Sequence, residues 1–327
     1  MPVDSLEVPR FCGVPTFMRL PLAVDAAGLD AAVIGLPSDA GSPFRTGARF
    51  GPNAIRAMSV MLRPVNPYRG GIDVFAALRV ADLGDAAVVP GYMQVSLERI
   101  EQAVAAVVAA GAVPLGLGGD HGVTLAELRA LARRHGPLAL IHFDSHTDTW
   151  PAYFAGQQHS AGTPFRRAVE EGIVKPERSL QIGMRGSLFA PSDISQSTEL
   201  GYQVITTDEA LALPPAALAT LVRERTGGAP AFLTFDMDFV DPASAPGVQT
   251  PEAGGPSARE ALTILRALHG LDLVGCDVVE TNPSFDGPGQ ITALLAATVA
   301  AELLALLAAT RRAQPAGVRS PSPSGSA

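Results

Sequence analysis

Cysteine is nearly absent: only Cys12 and Cys276 occur in 327 residues, far apart and in no metal-ligand spacing. That argues against a disulfide framework or a thiolate zinc site, and two free thiols suit a reducing compartment, so a cytoplasmic location is expected. The N-terminus has no basic, apolar, small-residue leader. No uninterrupted apolar run reaches membrane-span length. The nearest, 291–307, is broken by Thr292, Thr298 and Glu302 and reads as a packed helix, so no membrane partner is expected. Positive charge is also short, with 24 Lys and Arg against 32 Asp and Glu. The resulting net charge of -8 leaves no basic patch for nucleic acid and mildly favours cationic substrates. There is no internal repeat and no dividing linker. What remains is 47% hydrophobic and 17% charged, enough apolar surface for a sizeable core.

In chain order, residues 1–30 are expected to form a Pro-rich N-terminal arm, and 31–36 the first strand. A loop rich in Gly, Ser and Pro follows over 37–51. Pro52 then opens a helix to about residue 62, because proline suits a first helical turn. Apolar runs predict further strands at 79–83, 113–117, 138–143, 179–183, 202–206, 231–235 and 271–279, with helices at 96–110, 124–134 and 164–171. About eight strands alternating with helices predict a single-domain, three-layer α/β/α fold with a mostly parallel sheet over 31–312. Residues 313–327, rich in Pro, Ser and Gly, are expected to be a disordered tail.

Chemistry concentrates at three strand ends. Asp144-Ser145-His146-Thr147-Asp148 follows the run 138–143, and a continued strand would start Asp144, His146 and Asp148 on one side. His142 is expected to point the other way, as a buried structural histidine. Gly118-Gly119-Asp120-His121 closes a second run and Phe235-Asp236-Met237-Asp238 a third. In open parallel sheets this edge binds ligands. His121, Asp144, His146, Asp148, Asp236 and Asp238 together offer two imidazoles and four carboxylates. Such a set is too rich in oxygen for one structural zinc and suits two harder divalent ions bridged by carboxylates and a water. The bland alternative for the pentapeptide is a polar strand-to-loop junction. Burying so many charges without a cation, however, would be costly.

These three motifs, in this order, resemble those of the ureohydrolases: arginase, agmatinase, guanidinobutyrase and guanidinopropionase. Similarity runs from about Arg10 to about Leu307. The segment from Phe11-Cys12-Gly13 to Leu20-Pro21 resembles the arm of the guanidinobutyrase and guanidinopropionase branch. The resemblance implies an arginase-like fold and an amidinohydrolase that cleaves a guanidino C–N bond with a metal-bridging hydroxide, releasing urea and an amine. It implies His121 and Asp148 on one metal and His146 and Asp238 on the other, with Asp144 and Asp236 bridging and Asp148 also accepting a hydrogen bond from the hydroxide. Manganese is the implied metal, with nickel as the alternative. A homohexamer or trimer is implied, and a hetero-oligomer with a sister chain stays open.

Glu280 ends the run 271–279 within Val278-Val279-Glu280-Thr281-Asn282-Pro283, which is similar to the family's substrate-glutamate motif. A carboxylate there pairs with the planar N–H fork of a guanidinium. Without the resemblance it reads as a surface Glu before a turn. One position departs from the family pattern: Ala161-Gly162 stands where His-Gly is usual, and Ala161 can neither shuttle a proton nor contact a substrate as that histidine is taken to do. Three explanations compete. His159, two residues earlier, substitutes; or Ala161 enlarges the pocket for a smaller or N-substituted guanidine; or the chain is a silent subunit, which six intact metal ligands argue against. Trp150 either walls the pocket and stacks on a cationic substrate or is rim packing. The substrate expected is an ω-guanidino acid or agmatine, with guanidine, dimethylguanidine or a biguanide such as metformin as the alternative.

Overall fold

The computed structural model describes residues 1–190 and 192–313; the expected disordered tail lies outside them from residue 314 on. Among these residues there are ten strands: β1 (Ala31–Leu36), β2 (Val65–Asn66), β3 (Ile72–Asp73), β4 (Val80–Asp85), β5 (Val113–Gly118), β6 (Ala139–Phe143), β7 (Leu180–Met184), β8 (Gln203–Thr206), β9 (Ala231–Asp236) and β10 (Leu273–Val279). Eight form one sheet in the order β4-β1-β5-β10-β9-β6-β7-β8, and every neighbouring pair is parallel. These are the eight strands expected, with no end shifted by more than two residues. β2 and β3, an antiparallel pair of two residues each, are too short to show a period in sequence.

Alternation along the strands divides the apolar side chains between two cores, one on each face of the sheet. In β6, Ile141 and Phe143 face one core and Leu140 the other. The first core takes Leu295, Val299, Leu303 and Leu306 from the helix Ile291–Ala313. That helix is long and apolar enough to cross a membrane, but most of it is buried in the fold. The second core takes Ile100 and Val104 from Met93–Ala109, Leu128 and Leu131 from Thr124–His135, and Phe165 from Pro164–Glu170. Helices thus cover both faces, which is the three-layer fold expected.

Parallel strands send their C-terminal ends to one edge. The helix Gly51–Ser59 begins against that edge, where a Cβ on Gly51 would stand 2.6 Å from the Thr281 carbonyl oxygen and 2.7 Å from that of Gly118. Only glycine allows this approach, which seats the preceding loop on the ends of β5 and β10.

Candidate metal centre

β6 stops at Phe143, so the pentapeptide that follows is a loop and not the continued strand expected. The loop is folded by its own carboxylate: Asp144 Oδ1 accepts the His146 N–H at 2.6 Å. Asp148 is left-handed, with φ of 51°, a conformation costly for a side chain with a Cβ. Asp236 does the same work at the end of β9, accepting the Asp238 N–H on Oδ1 at 2.7 Å. Ser145 ties the two loops together, its hydroxyl donating to Asp238 Oδ1 at 2.7 Å.

His142 corrects the expectation that it points away from the ligands. Residues two apart in a strand share a face, so His142 and Asp144 lie on the same side. His142 is fully buried, with Nε2 2.7 Å from Asp144 Oδ2. Gln181 sets its tautomer. The Ser197 hydroxyl donates to Gln181 Oε1, and Gln181 Nε2 donates to the Thr147 carbonyl at 2.5 Å and to His142 Nδ1 at 3.1 Å. The imidazole proton therefore sits on Nε2 and is donated to Asp144.

Two donor sets meet at Asp144. His121 Nδ1 lies 2.9 Å from Asp144 Oδ2, 3.0 Å from Asp148 Oδ2 and 3.1 Å from Asp236 Oδ2. It has no hydrogen-bond partner, while its Nε2 rests 2.9 Å from the Thr234 hydroxyl. A buried, unpartnered ring nitrogen circled by three carboxylate oxygens is the arrangement of ligands about a shared cation. On the far side, His146 Nδ1 lies 3.4 Å from Asp144 Oδ1 and 3.1 Å from Asp238 Oδ2. The donors thus fit two divalent ions with Asp144 between them. His142 is close enough to count as a donor in the first group. Both its nitrogens are already hydrogen-bonded, however, so Asp236 is the better fourth ligand.

The charges are crowded. Burial and the neighbouring Asp144 raise the Asp148 carboxyl above its ordinary range. Burial, Asp238 and Asp144 raise that of Asp236 well above it. Burial would also raise Asp144, but the imidazoles of His142, His121 and His146 hold it well below. Burial would lower His121 and His146, but their carboxylate neighbours lift both well above the ordinary imidazole value. A divalent cation reverses this logic by holding every carboxylate ionised and both imidazoles neutral.

Glu280 reaches the same edge from β10. It is 2% exposed and left-handed, with φ of 63°, and its Oε1 accepts the His121 backbone N–H at 2.8 Å. Its Oε2 is buried and without a partner. Burial, then Asp236 and Asp120, raise its carboxyl well above the ordinary range, so a bound cation would be strongly favoured there.

A cavity of about 510 Å³ opens beside His146. Pro43 and Phe44 from the rim loop, Trp150, Tyr153, Phe154 and Phe189 give it an aromatic mouth. Trp150 packs edge-on to Tyr153, with centroids 5.7 Å apart. Ala161 does not line this cavity; it is buried, and its N–H donates to the Gly41 carbonyl. His159 is likewise not among the lining residues. Burial and then the cations Arg129 and Arg167 depress its pKa.

The arginase family model matches residues 29–306. The chain belongs to the arginase family. This arginase-family chain is 48% identical over 307 residues to a guanidinopropionase of Pseudomonas aeruginosa, covering 94% of itself and 96% of that protein. Its fold matches the proclavaminate amidino hydrolase of Streptomyces clavuligerus with a TM-score of 0.88 at 40% identity, covering 93% of this chain and 100% of that one. It also matches Trypanosoma cruzi formiminoglutamase with two Mn2+, with a TM-score of 0.80 at 27% identity over 91% and 100%. The family's metal-binding character agrees with the His and Asp cluster.

Among the contributors to the arginase-family site that sequence reasoning missed are Thr234 behind His121, the Gln181 and Ser197 pair behind His142, and Tyr153 in the mouth. Tyr153 carried a signal, as an aromatic five residues past Asp148 beside Trp150. The other three sit within ordinary strand and helix patterns and have none.

Proposed function

We propose that the chain is a binuclear-metal amidinohydrolase of the domain 31–312, cleaving a guanidino C–N bond to release urea and an amine. The observation that carries this is the unpartnered Nδ1 of His121 amid three carboxylates, with the open Oε2 of Glu280 on the adjoining strand. His121 and Asp148 would hold one ion and His146 and Asp238 the other, with Asp144 and Asp236 shared. Such an ion pair supplies hydroxide near neutral pH by lowering the pKa of water. Glu280 Oε2 accepts a guanidinium N–H and aims the planar carbon toward the donor cluster. The tail of the substrate then lies in the aromatic mouth, with Trp150 as a wall. Manganese is favoured by the relative that carries it, with nickel as the alternative. The enzyme is taken to work in the cytoplasm as a homohexamer or trimer.

The similarity to a guanidinopropionase supports an ω-guanidino acid as substrate. A specific observation favours a second reading. Arg185 is the one arginine or lysine among the cavity's lining residues, and it is spent on the carbonyls of Asp238, Phe239 and Glu252 at 2.7 to 3.1 Å. Asp193 and Glu252 add negative charge to the same lining. That mouth suits a cationic or small apolar substituent, as in agmatine, dimethylguanidine or a biguanide, better than a carboxylate. The test is a panel of guanidinopropionate, guanidinobutyrate, agmatine, guanidine, dimethylguanidine and metformin with manganese-loaded and nickel-loaded protein, measuring urea and amine. Turnover of one of them is expected. A chain that binds two ions yet releases neither product from any would refute the proposal.

A further inference from the structure

Two N–H donors fall on a single oxygen of Glu280. Oε1 accepts the His121 backbone N–H at 2.8 Å and Nε2 of Gln249 at 2.9 Å, which leaves Oε2 with none. Gln249 is itself 1% exposed, and its own Oε1 is also buried without a partner. The orientation of the amide follows from its neighbour, since only the NH2 end can face a carboxylate oxygen. Amide bond lengths then keep Gln249 Oε1 within about 5 Å of Glu280 Oε1. Gln249 Oε1 and Glu280 Oε2 are thus two buried acceptors without donors on side chains in direct contact, an arrangement that a pair of N–H groups would relieve.

The backbone on either side holds Gln249 in place. The Gly247 N–H donates to the Thr292 hydroxyl at 2.9 Å, and the Gly247 carbonyl accepts the Asn282 N–H at 2.7 Å. Thr250, the next residue, puts its hydroxyl 3.3 Å from Asp238 Oδ2 and lines the cavity. Gln249 is thus suspended between the carboxylate of Glu280 and a carboxylate of the metal cluster.

We infer that Gln249 is a substrate-contacting, specificity-determining residue whose Oε1 pairs with Glu280 Oε2 to receive two N–H groups from one edge of the guanidinium. A planar guanidinium offers parallel N–H groups on each edge, and paired acceptors match that fork. The consequence for substrate class is direct. The nitrogens facing Gln249 and Glu280 must each carry at least one hydrogen, so a doubly substituted nitrogen is accepted only as the third, the one directed at the aromatic mouth. The inference rests on the amidinohydrolase reading above.

The test uses the full chain loaded with manganese and the member of the substrate panel that the wild type turns over fastest. Gln249→Met removes donor and acceptor at nearly constant volume. KM is expected to rise about tenfold or more, the size of a lost hydrogen bond to a charged group. The value of kcat should stay within about threefold, because contacts made equally in ground and transition states move KM alone. Metal content by elemental analysis should match the wild type. Gln249→Asn, which keeps the amide but withdraws it by one methylene, is the second variant should Gln249→Met fail to fold, and its KM must rise as well. A KM within about twofold of wild type in either folded variant overturns the inference while leaving the function intact. A wild type inert toward every guanidino compound overturns the functional reading instead.

Discussion

His142 donates its Nε2 proton to Oδ2 of Asp144 at 2.7 Å, and Asp144 is the carboxylate that faces both His121 and His146. An imidazole N–H donated to a shared ligand fixes the carboxylate's orientation and keeps it ionised. His142→Phe keeps the aromatic bulk against Phe165, whose ring lies 4.3 Å away, but removes the donor. Metal affinity is expected to fall about 10- to 100-fold, as for other outer-shell partners of metal ligands. A metal titration followed by calorimetry checks it; unchanged affinity would reduce His142 to packing.

Asp236 offers Oδ2 to the cluster and Oδ1 to the backbone of its own loop. Asp236→Ala should therefore remove a ligand and loosen Asp238 together. Turnover is expected to drop by more than about 100-fold, with metal content falling in step. Elemental analysis beside a urea assay reads both, and full activity would discredit the bridging role.

His159 has a pKa depressed by burial and then by Arg129 and Arg167, and it is not among the residues lining the cavity. His159→Ala is accordingly expected to leave kcat within about twofold, far from the 10²- to 10⁴-fold loss of a missing general acid or base. Tyr153 is better placed. Burial and Asp148 push its hydroxyl up to about 12, so it stays protonated as a donor in the mouth. Steady-state rates of His159→Ala and Tyr153→Phe, measured side by side, decide between them.

Glu127 and Asp277 form a buried carboxyl pair behind the site, with both Glu127 oxygens unpartnered and the Thr124 hydroxyl on Asp277 Oδ2 at 2.6 Å. Burial and then Asp277 raise the Glu127 carboxyl well above its ordinary value of 4.5. The folded state thus keeps a proton that the unfolded chain has released. Stability from this group is full below pH 4.5 and declines as pH rises from there through the elevated folded value. Glu127→Gln cannot ionise. It should flatten that decline and gain on the order of 1–3 kcal/mol at alkaline pH. Denaturant melts of both proteins from pH 5 to about pH 9 test it; parallel curves would show that Glu127 does not titrate in this range.

The order of the elements and the meeting of His121, Asp144, His146, Asp148, Asp236 and Asp238 were legible because each motif caps an apolar strand and parallel strands deliver their ends to one edge. Glu280 was legible for the same reason. The loop after Phe143 was not, because strand alternation cannot foresee that Asp144 turns the chain by accepting the His146 N–H, nor that Asp148 is left-handed. Gln249 was invisible for a different cause. It lies in an irregular segment between β9 and β10, and only tertiary contact brings it 2.9 Å from Glu280. The case for His159 rested on nearness in sequence to Ala161, and it is not among the residues lining the cavity.

β10, the final strand to be synthesised, lies between β5 and β9, near the middle of the sheet. His121 and Asp236 close on each other only across that late insertion, so the donor set around His121 waits on the last strand of the sheet. A truncation ahead of β10 should therefore disperse the His121 donor set while leaving Asp144, His146 and Asp238 able to meet, since β6 and β9 pair directly.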